Sequence, residues 1–316
     1  MAAISIKNKT KSGSLLVGNT AYNPLGAVYT SRTSLPSAAL WYCAAWNGSR
    51  WVAVCQSDPA GTPTTKTAWS TDAITWNAVA LGTSARNQNV VWDGTYFVAT
   101  GNGAEEFYST DGTSWTLATG ATTVQNFIHS ATNGAGTTVA VAYTTGGNNL
   151  KYTTNGTSWT QITVGTSQRL LSIAYGNSTF VVTLGATGNS VYTSSNGSSW
   201  TLQSGVLPAT QYFTLVYGTR FVAMPYGTTT GGYSTNGTSW TSMTVPAGSY
   251  NNFGYTDGVY LAASYSTTDA ISSTDGISWT ARTLPAALTV VNVNGGNNMF
   301  VLMPGDTDID QYITSP

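Results

Sequence analysis

The sequence contains very little charge. Only 7% of its 316 residues are Asp, Glu, Lys or Arg, against about 25% in an average soluble protein. The formal net charge is −1, so we expect no basic surface for nucleic acid or for an anionic membrane. Polarity comes instead from Ser, Thr, Asn and Gly, and the hydrophobic content of 41% is enough for a packed core.

Side chains for acid–base and metal chemistry are equally scarce. The single histidine, His129, has no second histidine with which to build a catalytic triad or a zinc site. The only glutamates, Glu105 and Glu106, are adjacent, and in an extended strand they point to opposite sides. Glycoside hydrolysis needs two facing carboxyl groups. We therefore predict no enzymatic activity and no cofactor.

One acidic segment suggests a cation. Asp306, Asp308 and Asp310 alternate in the segment GDTDID, and oxygen ligands at alternate positions suit Ca²⁺. The internal Gly and the distal Glu of an EF-type loop are missing, so a solvated loop is the favoured interpretation and no metal is predicted.

Membrane, secretion and disulfide signals are also missing. No run of 18 apolar residues exists, so no membrane insertion is predicted. The first residues, MAAISIKNKTKSG, lack the apolar stretch of a secretory signal, and none is expected. Cys43 and Cys55 flank the turn at 46–51. They could form a cross-strand disulfide or remain two buried thiols, and the second interpretation is favoured.

A short repeated stretch is the main feature that the sequence does have. Residues 108–115 (YSTDGTSW) return nearly unchanged at 152–159 and 233–240, with looser copies at 69–76, 193–200 and 272–279. The six closing tryptophans are spaced by 39, 44, 41, 40 and 39 residues. A steady period near 40 is typical of propeller repeats. The turn and its tryptophan are carried by Asp72 and Trp76, Asp111 and Trp115, Asn155 and Trp159, Asn196 and Trp200, Asn236 and Trp240, and Asp275 and Trp279.

Each repeat predicts one four-stranded blade. An apolar run, an Asn-Gly or Asp-Gly turn and a second apolar run precede each copy, as at 44–54 and 90–99, and this is a strong hairpin signal. The order is strand A, tight turn, strand B, loop, strand C, the Asp/Asn-Gly turn, and strand D beginning at Trp. Asp or Asn can bond the backbone two residues on, and Gly supplies positive φ. The Trp is expected to wedge between neighbouring blades.

The ends of the chain predict a seventh blade. Residues 288–315 supply strands A to C, and the strand at 27–33 resembles a strand D, so it would complete this blade and leave no open edge. We therefore predict an all-β, seven-bladed β-propeller of four-stranded antiparallel blades, a single domain over 27–316, with six blades as the alternative. Residues 1–26 would be either an arm that docks on a larger assembly or a disordered leader.

The turn motif resembles the Asp-box, or BNR, repeat of β-propeller proteins, although the residue between Asp and Gly is absent here and Asn replaces Asp in three copies. Asp-boxes occur in sialidases, other glycosidases, lectin-like modules and non-enzymatic propellers. Sialidases carry an F/Y-R-I-P motif, which this sequence lacks, and an arginine triad, which its six dispersed arginines do not suggest. The low charge and the Thr/Ser/Gly/Asn richness also resemble propellers of bacteriophage tail and virion proteins.

The candidate ligand site lies in the loops between the repeats. Propeller ligands usually meet the face made by the B–C and D–A loops. Amides and aromatic rings there suit neutral sugars, through hydrogen bonds to hydroxyls and stacking on ring faces. The predicted ligand-binding residues are Arg86, Asn89, Gln125, Gln168, Arg169, Gln211, Tyr212, Tyr250 and Asn251.

Three functional hypotheses follow. The first is a non-enzymatic phage virion or tail propeller, located in the particle, that contacts other virion proteins through residues 1–26 and binds host-surface glycan. Self-association within a particle is compatible with it. The second is a free-standing lectin-like module, and the third and least favoured is a sialidase-like glycosidase.

Overall fold

The chain forms a closed ring of β-sheets. The computed structural model describes residues 16–17, 20–21, 29–32, 35–103, 105–120, 125–144, 149–165, 168–185, 189–207, 212–265, 267–285, 289–305 and 312–315. All regular elements among these residues are strands. None of the described residues belongs to a helix long and apolar enough to cross a membrane.

The strands follow the chain in groups of four. The first three are β1 (Leu16–Val17), β2 (Thr20–Ala21) and β3 (Thr30–Arg32). Blade 1 contains β4 (Leu40–Trp46), β5 (Trp51–Ser57), β6 (Thr64–Ser70) and β7 (Asn77–Ala85). Blade 2 contains β8 (Asn87–Trp92), β9 (Phe97–Gly103), β10 (Phe107–Ser109) and β11 (Thr116–Leu117). Blade 3 contains β12 (Gln125–Thr132), β13 (Thr138–Ala142), β14 (Leu150–Thr153) and β15 (Thr160–Ile162).

The remaining blades repeat this order. Blade 4 contains β16 (Leu170–Gly176), β17 (Thr179–Leu184), β18 (Val191–Ser194) and β19 (Thr201–Gln203). Blade 5 contains β20 (Tyr212–Tyr217), β21 (Phe221–Pro225), β22 (Thr230–Ser234) and β23 (Thr241–Thr244). Blade 6 contains β24 (Tyr250–Thr256), β25 (Val259–Ser264), β26 (Asp269–Ser273) and β27 (Thr280–Thr283). Blade 7 contains β28 (Val290–Gly296), β29 (Met299–Pro304), β30 (Tyr312–Ser315) and, from the other end of the chain, β3.

The N-terminal strand closes the ring as the sequence predicted. Strand β3 pairs antiparallel with β30, with Thr30 opposite Thr314 and Arg32 opposite Tyr312. Each innermost strand contacts the next, and β28 contacts β4. Seven blades are therefore confirmed, and the six-bladed alternative is wrong. Within the predicted arm, β1 pairs with β2, and the rest of residues 1–26 lies outside the described residues.

The repeated turn joins strands C and D and also contacts the preceding blade. The Asp111 carboxylate accepts hydrogen bonds from the amides of Thr113 (2.7 Å) and Ser114 (3.1 Å). Gly112 has a φ of +73°, and a Cβ there would lie 2.2 Å from Cγ2 of Val52 in blade 1. This glycine is thus required both by its backbone conformation and by the closeness of the next blade. The same contact recurs between Gly197 and Val139, Gly237 and Val181, and Gly276 and Val222.

The tryptophan that follows each turn wedges between blades, as expected. Seven hydrophobic clusters each join two neighbouring blades. Six of them contain one repeat tryptophan, namely Trp76, Trp115, Trp159, Trp200, Trp240 and Trp279. In the seventh, between blades 6 and 7, Tyr29 before β3 takes that place. The ring is therefore held by apolar burial at every blade interface.

The two cysteines are free and buried. In the β4–β5 pair, Cys43 lies opposite Val54 and Cys55 lies opposite Trp41, so the two are not cross-strand partners. Burial raises the pKa of each thiol to about 12. The interpretation of two buried thiols is confirmed, and neither is activated as a nucleophile.

Candidate functional site

A β-bulge recurs at the same place in all seven innermost strands. In each blade the register between strands A and B slips near the start of strand A, on the edge that carries the D–A and B–C loops. We call this edge the loop face. The residues that immediately follow the bulge are small or polar in every blade, and they are Cys43, Asn89, His129, Ser172, Thr214, Asn252 and Asn292.

These strands enclose an axial cavity of about 170 Å³. Six of the seven blades contribute to it. Its polar lining residues are Asn89, His129, Ser130, Ser172, Thr214, Asn251, Asn252 and Asn292. The described lining includes no carboxylate, guanidinium or ammonium group. The cavity is therefore a neutral site of amides, hydroxyls and one imidazole.

Several lining side chains also connect neighbouring blades. Ser172 Oγ accepts a hydrogen bond from the amide of Leu215 at 3.0 Å. The Asn252 amide nitrogen donates to the carbonyl of Val290 at 2.5 Å. The Ser130 hydroxyl donates to the Asn89 side-chain oxygen. These bonds fix the side chains of the cavity wall, because each partner belongs to the rigid strand of an adjacent blade.

His129 stays uncharged near neutral pH. Burial lowers its pKa, and a hydrogen bond to the backbone of Leu171 opposes this shift only in part. A neutral imidazole can both donate and accept a hydrogen bond. It therefore matches the uncharged amides around it rather than introducing a cation into the cavity.

The predicted ligand residues separate into three groups. Asn89 and Asn251 line the axial cavity. Arg86 donates to the carbonyl of Gly61 at 2.6 Å, and Arg169 donates to the Tyr143 hydroxyl at 2.9 Å, so both arginines lie in loop contacts away from the lining. The backbone carbonyl of Gln168 accepts from Asn149, and Gln168 does not line the cavity. Gln211 and the side chain of Gln125 lie outside the described residues.

Two predicted stacking residues need correction. Tyr212 is 1% exposed and Tyr250 is 3% exposed. Both rings pack in clusters between blades, because the first residue of strand A points into the core before the bulge changes the register. Neither ring presents a face to a ligand.

The structure places other tyrosines on the loop face. Tyr143, Tyr226 and Tyr265 each follow the last residue of strand B in blades 3, 5 and 6. Tyr226 is 46% exposed and Tyr265 is 50% exposed. The sequence does carry this signal, since a tyrosine ends the second apolar run in these three repeats. It becomes visible only when the repeats are aligned on strand B.

A buried ion pair lies apart from this face. Glu105 is exposed and Glu106 is buried, as their alternation predicted. Glu106 pairs with Lys151 across blades 2 and 3, and both side chains are at most 2% exposed. Desolvation raises the pKa of Glu106 and lowers that of Lys151 to about 8, while their mutual attraction opposes both shifts. The ammonium also lies 3.6 Å from the ring centre of Phe127. Sequence periodicity gave no sign of this pair, because the partners come from different blades.

No metal centre is evident in the described part of the chain, where no three His, Cys, Asp or Glu side chains come together. Asp306, Asp308 and Asp310 lie outside the described residues. The hypothesis of a calcium loop therefore stays a sequence-based alternative.

Comparison with known proteins shows the fold. No family model matches the sequence, and no curated protein matches it. A structure of YCF48 bound to D1 peptide aligns with a TM-score of 0.69 and 14% identity, over 93% of this chain and 96% of that chain. Virginiamycin B lyase from Staphylococcus aureus aligns with a TM-score of 0.76 and 9% identity, over 92% and 99%. YCF48 from Cyanidioschyzon merolae gives 0.68 and 13%, over 92% and 98%. The chain is thus a β-propeller repeat protein, and at these identities the likeness extends to fold alone.

Proposed function

We propose that this chain is a non-enzymatic, Asp-box-like propeller of a bacteriophage virion or tail that binds neutral host-surface glycan on its loop face. Other virion proteins would hold it through residues 1–26. The observation that carries the binding proposal is the uncharged axial cavity, which opens among amides and hydroxyls from six blades. Such groups exchange hydrogen bonds with sugar hydroxyls without the cost of burying a charge.

The same chemistry disfavours a glycosidase. A retaining or inverting mechanism needs two carboxyl groups about 5–9.5 Å apart, and the described cavity lining has none. The fold is neutral on this point, since its neighbours include a lyase and a protein solved with a bound peptide. Measurable turnover of an aryl glycoside or a sialoside by the purified chain would contradict the proposal.

Binding is tested with purified protein on an array of neutral and acidic glycans. We expect neutral glycans to bind and Thr214→Val to weaken them, because the substitution keeps the side-chain volume and removes a hydroxyl from the cavity. Asn77→Ala, on the exposed outer strand of blade 1, is the matched control and should bind normally. Binding to acidic glycans alone would overturn this assignment.

The particle assignment rests on composition and on the N-terminal segment, and it has its own test. Mass spectrometry of purified particles should detect the chain, and a variant that lacks residues 1–26 should fold but be absent from the particles. A chain found only outside particles, with glycan binding intact, would favour the free-standing lectin-like module.

A further inference from the structure

Three tyrosines occupy one equivalent position on the loop face. The residues Tyr143, Tyr226 and Tyr265 stand one position beyond strands β13, β21 and β25. In each case the preceding residue pairs with the strand-A residue just before the bulge, as Ala142 pairs with Phe127. The propeller geometry therefore presents the three rings at the same height and the same distance from the axis.

Only one of these rings is covered. The Arg169 guanidinium lies 4.6 Å from the ring centre of Tyr143 and donates to its hydroxyl. Arg169 immediately precedes β16, the first strand of the next blade. The equivalent neighbours of Tyr226 and Tyr265 are Ser249 and Thr289, which precede β24 and β28.

Short side chains at these two positions leave the other rings open. The backbones of Tyr265 and Thr289 form a β-bridge, so the two positions meet across blades as Tyr143 and Arg169 do. Serine and threonine are too short to cover a phenol ring. Accordingly Tyr226 and Tyr265 are about half exposed, and they are the aromatic members of the exposed large hydrophobic residues in the described chain.

The two open rings belong to neighbouring blades, 5 and 6, so they are related by one seventh of a turn. Blade 6 also supplies Asn251 and Asn252 to the axial cavity. A flat ring with a polar hydroxyl suits the apolar C–H face of a sugar, and side-chain amides suit its hydroxyls. An anionic ligand would instead require the open cation that the cover on Tyr143 uses.

We infer that Tyr226 and Tyr265 form a two-ring stacking platform for successive units of a neutral oligosaccharide whose end reaches the axial cavity. This inference rests on the proposed function and adds the requirement for a chain of sugar units. The cavity is smaller than the roughly 300–1,000 Å³ of drug-sized ligand sites. A single unit would fill it, and further units would lie outward across the rings.

The test is calorimetric titration of the full chain with cello-, malto- and N-acetylglucosamine oligomers of increasing length. Affinity should rise with length, and Tyr226→Ala and Tyr265→Ala should each weaken the bound oligomer about tenfold while leaving its monosaccharide unchanged. Both rings are half exposed, so the variants should fold. Tyr143→Ala is the matched control, because its ring is covered, and it should leave oligomer affinity unchanged.

The outcomes separate this inference from the proposed function. If oligomers bind and neither tyrosine variant weakens them, the platform is wrong and glycan binding stands. If a proline decamer binds instead and the tyrosine variants weaken it, the rings serve a peptide and the platform for sugars is wrong. If the wild-type chain binds no neutral glycan at all, the proposed function fails and this inference fails with it.

Discussion

Removing Lys151 is the most informative perturbation of the core. The Glu106–Lys151 pair is nearly free of solvent contact, and the Lys151 ammonium lies between Phe127 and Trp159, 3.6 and 5.3 Å from their ring centres. Lys151→Met fits the same space but leaves Glu106 buried without its cation. Breaking one partner of a buried pair costs about 3–5 kcal/mol. This is a large part of a typical stability of about 5–15 kcal/mol.

The double variant Glu106→Leu with Lys151→Met should recover most of that loss. Replacing a whole buried pair by apolar groups of similar volume is often neutral or stabilising, because the desolvation cost of both charges disappears. Guanidinium unfolding of the two single variants, the double variant and wild type gives the coupling energy. Lys66→Met, in a partly exposed position, is the control and should change the free energy of unfolding by less than about 1 kcal/mol.

The pH dependence gives a second readout with a defined sign. The Lys151 pKa falls from 10.5 to about 8 in the folded protein. Between these values the unfolded chain binds the proton and the native chain does not, so stability rises with pH across this window, and Lys151→Met loses that rise. Burial raises the pKa of Glu106 above its ordinary value of 4.5. The native acid therefore holds its proton longer than the unfolded one, and Lys151→Met should lose stability as pH rises above about 4.5.

Additive effects would refute this account. If the double variant is as unstable as the sum of the singles, the two groups do not interact in solution. If Lys151→Met and Lys66→Met are equally mild, Lys151 is not buried against the Glu106 carboxylate.

Three further predictions concern the repeated turn and its tryptophan. Gly112→Ala should destabilise the fold by about 2–4 kcal/mol in thermal unfolding, through both positive φ and overlap with Val52, whereas Gly134→Ala, with φ +69° and open space, should cost only about 1–2 kcal/mol; equal losses would contradict the blade contact. Hydrogen bonds lower the Asp111 pKa to about 2 against the opposing effect of burial, so its stabilisation is complete above pH 3.8 and is lost as pH falls through 2, and Asp111→Asn should remove that slope in acid titrations of stability. Trp159→Ala should cost about 3–5 kcal/mol, and an unchanged melting midpoint would show that this ring does not hold blades 2 and 3 together.

Sequence periodicity predicted the fold well because a propeller repeats the same local physics in each blade. The turn beginning at Asp111 needs only residues close in sequence, since its carboxylate bonds the amides two and three positions on. The strand that completes blade 7 was also visible, because its resemblance to other D strands is local. Even the wedge role of the tryptophans follows from a large apolar side chain at a fixed place in each blade.

The candidate site was predicted less well because it depends on register and on neighbouring blades. Tyr212 and Tyr250 begin their strands, and from sequence they are indistinguishable from loop residues. The bulge that follows them decides which side chains face the core and which line the cavity. The exposure of Tyr265 depends on the size of Thr289, which lies in the next blade. Such relations between blades leave no periodic pattern in one sequence.

The division between repeated and variable positions also indicates where selection for binding can act. The turn glycines cannot vary freely, since each faces a side chain of the preceding blade. By contrast, the residue before strand A differs from blade to blade without disturbing the ring, and Arg169, Ser249 and Thr289 stand at equivalent places. A change from a small residue to arginine there would cover a tyrosine at almost no cost to the fold. The number of open rings on the loop face can therefore change by single substitutions, whereas the number of blades cannot.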